Sequence, residues 1–121
     1  VLLVDDEEDY VRTMAERMEM RDMGSEVAFT GEEALAMLDE ELPDVMVLDL
    51  RMPGMGGMEV LARVKEAHPQ VEVIVLTGYG TDEDEEEARR LGAFDYLRKP
   101  VDIADLMNTI RRAGRAKVSR P

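Results

Sequence analysis

Five side chains in this chain have the types and positions that phosphoryl chemistry needs. Asp49 ends the apolar run Val45-Met46-Val47-Leu48, and Asp5 and Asp6 end the run Val1-Leu2-Leu3-Val4. Thr77 ends Val73-Ile74-Val75-Leu76, and Lys99 follows Phe94-Asp95-Tyr96-Leu97 and precedes Pro100. Apolar runs of four to six residues bounded by polar or turn residues read as buried strands. In an open parallel sheet the carboxyl ends of the strands line one crevice, where ligands bind. Three carboxylates, a hydroxyl and an ammonium would therefore meet there.

Clustered carboxylates repel one another, and a hard divalent cation such as Mg²⁺, which takes oxygen ligands, relieves them. An aspartate attacking phosphorus forms an acyl phosphate. A metal and Lys99 would offset charge on the phosphoryl oxygens, and Thr77 would donate its hydroxyl to one of them. Each feature alone has a plainer reading: Asp5-Asp6 as a helix cap, Asp49 as a turn residue, Lys99-Pro100 as a loop. Their placement at the ends of four of the five strand candidates argues for a site.

The elements that must position these residues alternate regularly. Strand-like segments fall at about 1–5, 26–29, 44–48, 71–76 and 94–97, each followed by a helix-period segment. That alternation predicts a doubly wound α/β domain. The first helix is predicted over about 8–22, with Val11, Met14, Ala15 and Met18 on one face. Thr30 caps the second, which runs to about 41, with Glu33 placed for a capping box. The third spans about 58–67 and carries Met58, Leu61 and Val64 inward; Asp102 caps the last. The fourth is the weak element. Six consecutive acids, Asp82 to Glu87, leave only Ala88 and Leu91 as anchors. Acids suit a helix N-terminus, yet six together repel, so loose packing is expected.

Composition bounds the rest. The chain has 121 residues, enough for one domain with a single core. It has no cysteine, which excludes disulfides and thiolate chemistry. No apolar run approaches the roughly 20 residues that span a membrane, and no signal peptide is visible, so a cytoplasmic location is expected. The opening Val1 already reads as strand, which suggests a trimmed or processed fragment. Residues 1–110 hold all 28 acids and 10 bases, whereas residues 111–121 hold five bases and no acid. An acidic body argues against direct nucleic-acid binding. The basic end reads as a helix end followed by a tail or linker over 114–121.

The quoted residues carry a resemblance. Leu3-Val4-Asp5-Asp6-Glu7, Asp49-Leu50-Arg51-Met52-Pro53-Gly54-Met55-Gly56-Gly57, Thr77-Gly78 and Gly92-Ala93-Phe94-Asp95-Tyr96-Leu97-Arg98-Lys99-Pro100 stand in family order and spacing. The chain resembles a response-regulator receiver domain of two-component signalling over residues 1–113. The resemblance implies a flavodoxin-like (βα)5 fold with strand order 2-1-3-4-5. It also implies a phosphoacceptor at Asp49 and Mg²⁺ (or Mn²⁺) held by Asp6, by Asp5 largely through water, by Asp49 and by the Arg51 carbonyl. Thr77 and Lys99 would hold the phosphoryl group, with a cis bond before Pro100. Thr77 and Tyr96 would form the switch, acting on the face of the fourth helix, fifth strand and fifth helix.

Further expectations follow from the same likeness. The phosphoryl donor would be a sensor histidine kinase or phosphotransfer protein, and the domain would catalyse only its own phosphorylation and dephosphorylation. Arg51 and Tyr79 would tune phosphoryl lifetime by covering the site, giving slow hydrolysis. A homodimer on phosphorylation is possible through a face that the acids at 82–87 occupy, so salt should strengthen association by screening them. Met52 and Met55 would anchor the loop after Asp49, and Gly56-Gly57 would let it turn. His68, at the end of the third helix, lies away from the site. An aspartyl phosphatase would want an acid where Arg51 stands, and a flavin-binding module would want hydroxyls where Asp5-Asp6-Glu7-Glu8-Asp9 stand.

Overall fold

A computed structural model describes the backbone of residues 1–119 and the side chains through residue 116. Five strands, β1 (Leu2–Val4), β2 (Glu26–Ala28), β3 (Val45–Leu48), β4 (Glu72–Thr77) and β5 (Asp95–Arg98), alternate with five helices. These are α1 (Glu8–Glu19), α2 (Gly31–Glu40), α3 (Gly57–Ala67), α4 (Asp82–Arg90) and α5 (Ile103–Ser119). The sheet is wholly parallel in the order β2-β1-β3-β4-β5, the doubly wound topology expected.

Side chains alternate across the pleat, so each central strand feeds two cores. Leu2 and Val4, Met46 and Leu48, and Val73 and Val75 face one way, against Ala34, Leu38, Val60, Leu61, Val64 and Ala88 of α2, α3 and α4. Leu3, Val45, Val47, Ile74 and Leu76 face the other, against Val11, Met14 and Met18 of α1 and Leu106, Met107 and Ile110 of α5. A sheet covered on both faces leaves its strand ends as the place where polar groups can gather.

Some boundaries depart from the sequence reading. α1 stops at Glu19, short of 22, because Asp22 takes a left-handed turn (φ 63°). The Met23 N–H then bonds back to the Met18 carbonyl at 2.9 Å, a helix-closing pattern that Asp tolerates better than most residues. The Thr30 hydroxyl caps α2 by accepting from the Glu33 N–H at 3.0 Å. α5 continues through residue 119, so residues 114–119 of the expected tail are helical; Arg120 and Pro121 lie outside the described residues.

The loop after β3 is set by close approach. A Cβ on Gly57 would overlap the Asp49 carbonyl oxygen and Leu50 backbone, so only glycine lets α3 start there. The positive φ falls on Gly54 instead (74°).

Candidate functional site

Each predicted residue reaches the carboxyl edge by its strand. Asp5 follows β1, Asp49 follows β3, Thr77 is the last residue of β4 and Lys99 follows β5. Register aligns these exits: Val4 pairs with Leu48, Leu48 with Val75, and Thr77 with Arg98. Asp5 and Asp49 are buried, as is Thr77; Asp6 is more open to solvent. One oxygen from each of Asp5, Asp6 and Asp49 lies within 4.8 Å of the others. The Lys99–Pro100 peptide bond is cis.

Lys99 joins these acids. Its ammonium donates to Asp5 Oδ2 at 2.7 Å, Glu7 Oε1 at 2.9 Å and Asp49 Oδ2 at 3.3 Å. It also lies 4.5 Å from the centre of the Tyr10 ring, within cation–π reach. Backbone donors fix the other carboxylate oxygens: the Glu7 N–H on Asp5 Oδ1 at 2.9 Å and the Arg51 N–H on Asp49 Oδ1 at 3.1 Å.

Burial raises the Asp5 carboxyl above its ordinary pKa, and the Asp49 charge adds to this; the Lys99 and Glu7 hydrogen bonds oppose the rise without cancelling it. Burial also works against the Lys99 ammonium. Its hydrogen bonds to Asp5 and Glu7, with the charges of Asp5 and Asp49, nevertheless hold its pKa above the usual value. One ammonium among four carboxylates leaves the pocket net negative. Hard oxygen donors in excess of their counter-charge fit a divalent cation such as Mg²⁺ or Mn²⁺.

Glu7 and Tyr10 were missed as site residues by the sequence reading. Glu7 was visible as the third acid of Asp5-Asp6-Glu7, but nothing local shows that it reaches a lysine 92 residues away. Tyr10 sits in the first turns of α1, where a residue three beyond Glu7 shares its helix face.

The switch and tuning residues lie beside the acids. Tyr96 is buried, and its hydroxyl has no hydrogen-bond partner among the described residues. The ring points inward, against the β4–α4 loop: a Cβ on Gly80 would overlap its hydroxyl. Burial holds the Tyr96 phenol above its ordinary pKa. The Thr77 hydroxyl accepts from the Tyr79 N–H at 3.5 Å, at the limit of a hydrogen bond. The Tyr79 side chain is 74% exposed, and its carbonyl accepts from Arg51 at 3.1 Å.

Residues 1–111 match the family model described as the response regulator receiver domain. The chain belongs to that family. Receivers of two-component response regulators serve as phosphoacceptors, and this receiver shares that function. It is 36% identical over 116 residues to the photosynthetic apparatus regulatory protein RegA of Rhodobacter capsulatus, covering 96% of the chain and 63% of that relative. Over 83 residues it is 42% identical to the DNA-binding transcriptional regulator NtrC of Salmonella typhimurium, covering 69% of the chain and 18% of NtrC. The receiver therefore spans less than two thirds of either relative.

Solved structures agree on the fold. A CheY-like receiver from Methanospirillum hungatei JF-1 superposes with a TM-score of 0.91 at 28% identity, covering 96% of this chain and 93% of that one. The receiver domain of NtrX from Brucella abortus gives 0.88 at 30% identity, covering 94% and 97%. Receivers of response regulators bind Mg²⁺ and work with histidine kinases. No described helix of this receiver is long and apolar enough to cross a membrane.

Proposed function

We propose that Asp49 is the residue that takes the phosphoryl group, from a histidine kinase or a phosphotransfer protein. An Asp49 oxygen forms the new O–P bond as the donor's N–P bond breaks, and the imidazole nitrogen keeps the electron pair. The observation that carries this reading is the shared ammonium of Lys99, bound to both Asp5 and Asp49 at the sheet's carboxyl edge. Lys99 stays within reach of the added group and neutralises part of its charge, and Thr77 donates its hydroxyl to a second oxygen.

Asp5, Asp6, Asp49 and the Arg51 carbonyl would hold Mg²⁺ or Mn²⁺. When bound, that ion offsets charge on the phosphoryl oxygens. Glu7 and Tyr10 keep the Lys99 ammonium seated while Asp5 and Asp49 turn to other partners. Thr77 and Tyr96 relay the event to the face of α4, β5 and α5, which would serve output or a phosphorylation-dependent homodimer. Self-phosphorylation and hydrolysis are its only catalysis, with Arg51 and Tyr79 tuning the rate. We place its work in the cytoplasm, with no direct nucleic-acid contact by this domain, and read residues 1–113 as the receiver and 114–121 as its basic extension.

The test is mass spectrometry after acetyl phosphate and Mg²⁺. The chain should gain one phosphoryl group, and Asp49→Ala should gain none. A full gain in Asp49→Ala would refute the assignment.

A further inference from the structure

Two arginines hold the β4–α4 loop in the same way. Arg98 of β5 donates to the Gly80 carbonyl at 2.7 Å and pairs with Asp82 at 3.2 Å and Glu85 at 3.6 Å. Arg51, in the loop after β3, donates to the Tyr79 carbonyl at 3.1 Å and lies 3.8 Å from the Asp84 carboxylate. Successive carbonyls of one loop are thus taken by two guanidinium groups, one from β5 and one from the loop after β3, on either side of β4. Each group continues to acids in the first turns of α4.

The clamps differ in where they start. Arg98 starts on the outer strand β5. Arg51 starts two residues after Asp49, and its own N–H is already donated to Asp49 Oδ1. Charge added to Asp49 is therefore felt by Arg51 before it is felt by any residue of α4. The loop that Arg51 holds is also the one that packs on Tyr96 and Thr77, through Gly80.

We propose that Arg51 is a positioning residue shared between α4 and the phosphoryl group. At rest its guanidinium latches the Tyr79 carbonyl to Asp84. On phosphorylation it turns to the phosphoryl oxygens and releases the loop and the N-terminus of α4. The resting pair is weak, since both side chains are part-exposed and 3.8 Å apart. A phosphoryl group carries nearly two charges in a geometry that guanidinium meets with paired hydrogen bonds. Asp84 is then a competitor: by linkage, whatever binds Arg51 to α4 at rest is subtracted from the phosphorylated state. The acids of α4 thereby set how readily Asp49 holds its charge. The proposal rests on Asp49 as the phosphoacceptor.

The experiment is a double-mutant cycle on phosphoryl loss in Mg²⁺ after the donor is removed. In that loss water's oxygen bonds to phosphorus as the Asp49 O–P bond breaks, releasing inorganic phosphate and restoring the carboxylate. Asp84→Gln drops the charge while glutamine keeps the reciprocal cap with Thr81. It should lengthen the lifetime about two- to five-fold, the range of an exposed ion pair. Arg51→Gln should shorten it, and in that background Asp84→Gln should change nothing.

Amide hydrogen exchange over residues 79–85 gives a second readout. It should rise on phosphorylation in the native chain and already be raised at rest in Asp84→Gln. If Arg51→Gln folds poorly, Arg51→Lys keeps the charge without the fork and should retain only part of the effect. Additive lifetimes, or an unchanged lifetime in Asp84→Gln, overturn the latch. Asp49→Ala in parallel separates the two ideas: a mass gain there sinks the phosphoacceptor assignment, whereas its loss alongside an additive cycle sinks only the latch.

Discussion

Two regions of this receiver concentrate negative charge, and they handle it in opposite ways. In the pocket, Asp5, Glu7 and Asp49 converge from the ends of β1 and β3 onto one ammonium, with Asp6 beside them. Two of them, Asp5 and Asp49, are buried, where low solvent access makes charge costly and therefore usable. Along α4 the acids diverge into solvent and are met one by one. Arg98 takes Asp82 and Glu85, Arg89 takes Glu85, Arg51 takes Asp84, and Arg90 takes Glu87. The same residue type makes a reactive centre in one place and a dispersed ionic surface in the other. Burial and convergence decide which.

The largest test of this contrast is the removal of Lys99. Without its ammonium, the buried carboxyl groups of Asp5 and Asp49 lose their shared hydrogen-bond donor and counter-charge, which is costly in a way that losing an exposed pair is not. Because the pocket opens toward solvent at Glu7, the cost is put at about 2 kcal/mol, below the figure for a fully buried pair. Lys99→Met should lower the urea midpoint in metal-free buffer, and Mg²⁺ should recover part of the loss. Equal stability of variant and native chain in metal-free buffer would mean that the pocket's acids are no more coupled than those of α4.

That contrast also explains what could be read from the chain. The pocket was legible because Asp5, Asp6, Asp49, Thr77 and Lys99 each stand within two residues of the end of a short strand-like run, a local signal. The alternation of strands and helices followed from the same runs, whereas the strand order came from the family resemblance. The distant arginine partners of α4 were not legible, because Arg51–Asp84 and Arg98–Asp82 join residues 33 and 16 positions apart. Six adjacent acids therefore read as unrelieved repulsion, when four of them meet arginines. The role of Gly57 was hidden for a similar reason: its constraint is the Asp49 carbonyl, not its own dihedral angle. Glu7 was in plain view as a third acid, but its partner was supplied only by β5.

Tyr96 stands between the two regions and gives an effect of intermediate size. Its ring packs in the core beside α4, yet its hydroxyl is buried with no partner among the described residues. An unsatisfied buried hydroxyl costs free energy, so Tyr96→Phe should be neutral or stabilise the resting state by up to about 1 kcal/mol. If the hydroxyl finds a partner only in the phosphorylated state, the variant should also blunt the rise in hydrogen exchange across the β4–α4 loop. A clear loss of resting stability in urea melts would show that the hydroxyl is already satisfied, and would remove Tyr96 as a link between pocket and helix.

The smallest effect belongs to the α4 acids for which no ion pair is described, Glu83 and Glu86. Both are exposed, and they lie three residues apart on the helix surface, where like charges repel by a few tenths of a kcal/mol. In urea melts, Glu86→Gln should stabilise the fold slightly at low ionic strength, by about 0.3 kcal/mol, and the gain should vanish in high salt as the repulsion is screened. Glu83→Gln should gain less, because Glu83 stands in the first turn of α4, where an acid is favoured. Neither should change phosphoryl lifetime, because neither acid holds an arginine that reaches Asp49. The pair thus serves as the matched control for Asp84. A lifetime change in Glu86→Gln as large as that in Asp84→Gln would mean that the net charge of α4 matters, rather than one acid latched to one arginine. An effect confined to Asp84 would show that a single contact carries the signal from the buried charge to the exposed one.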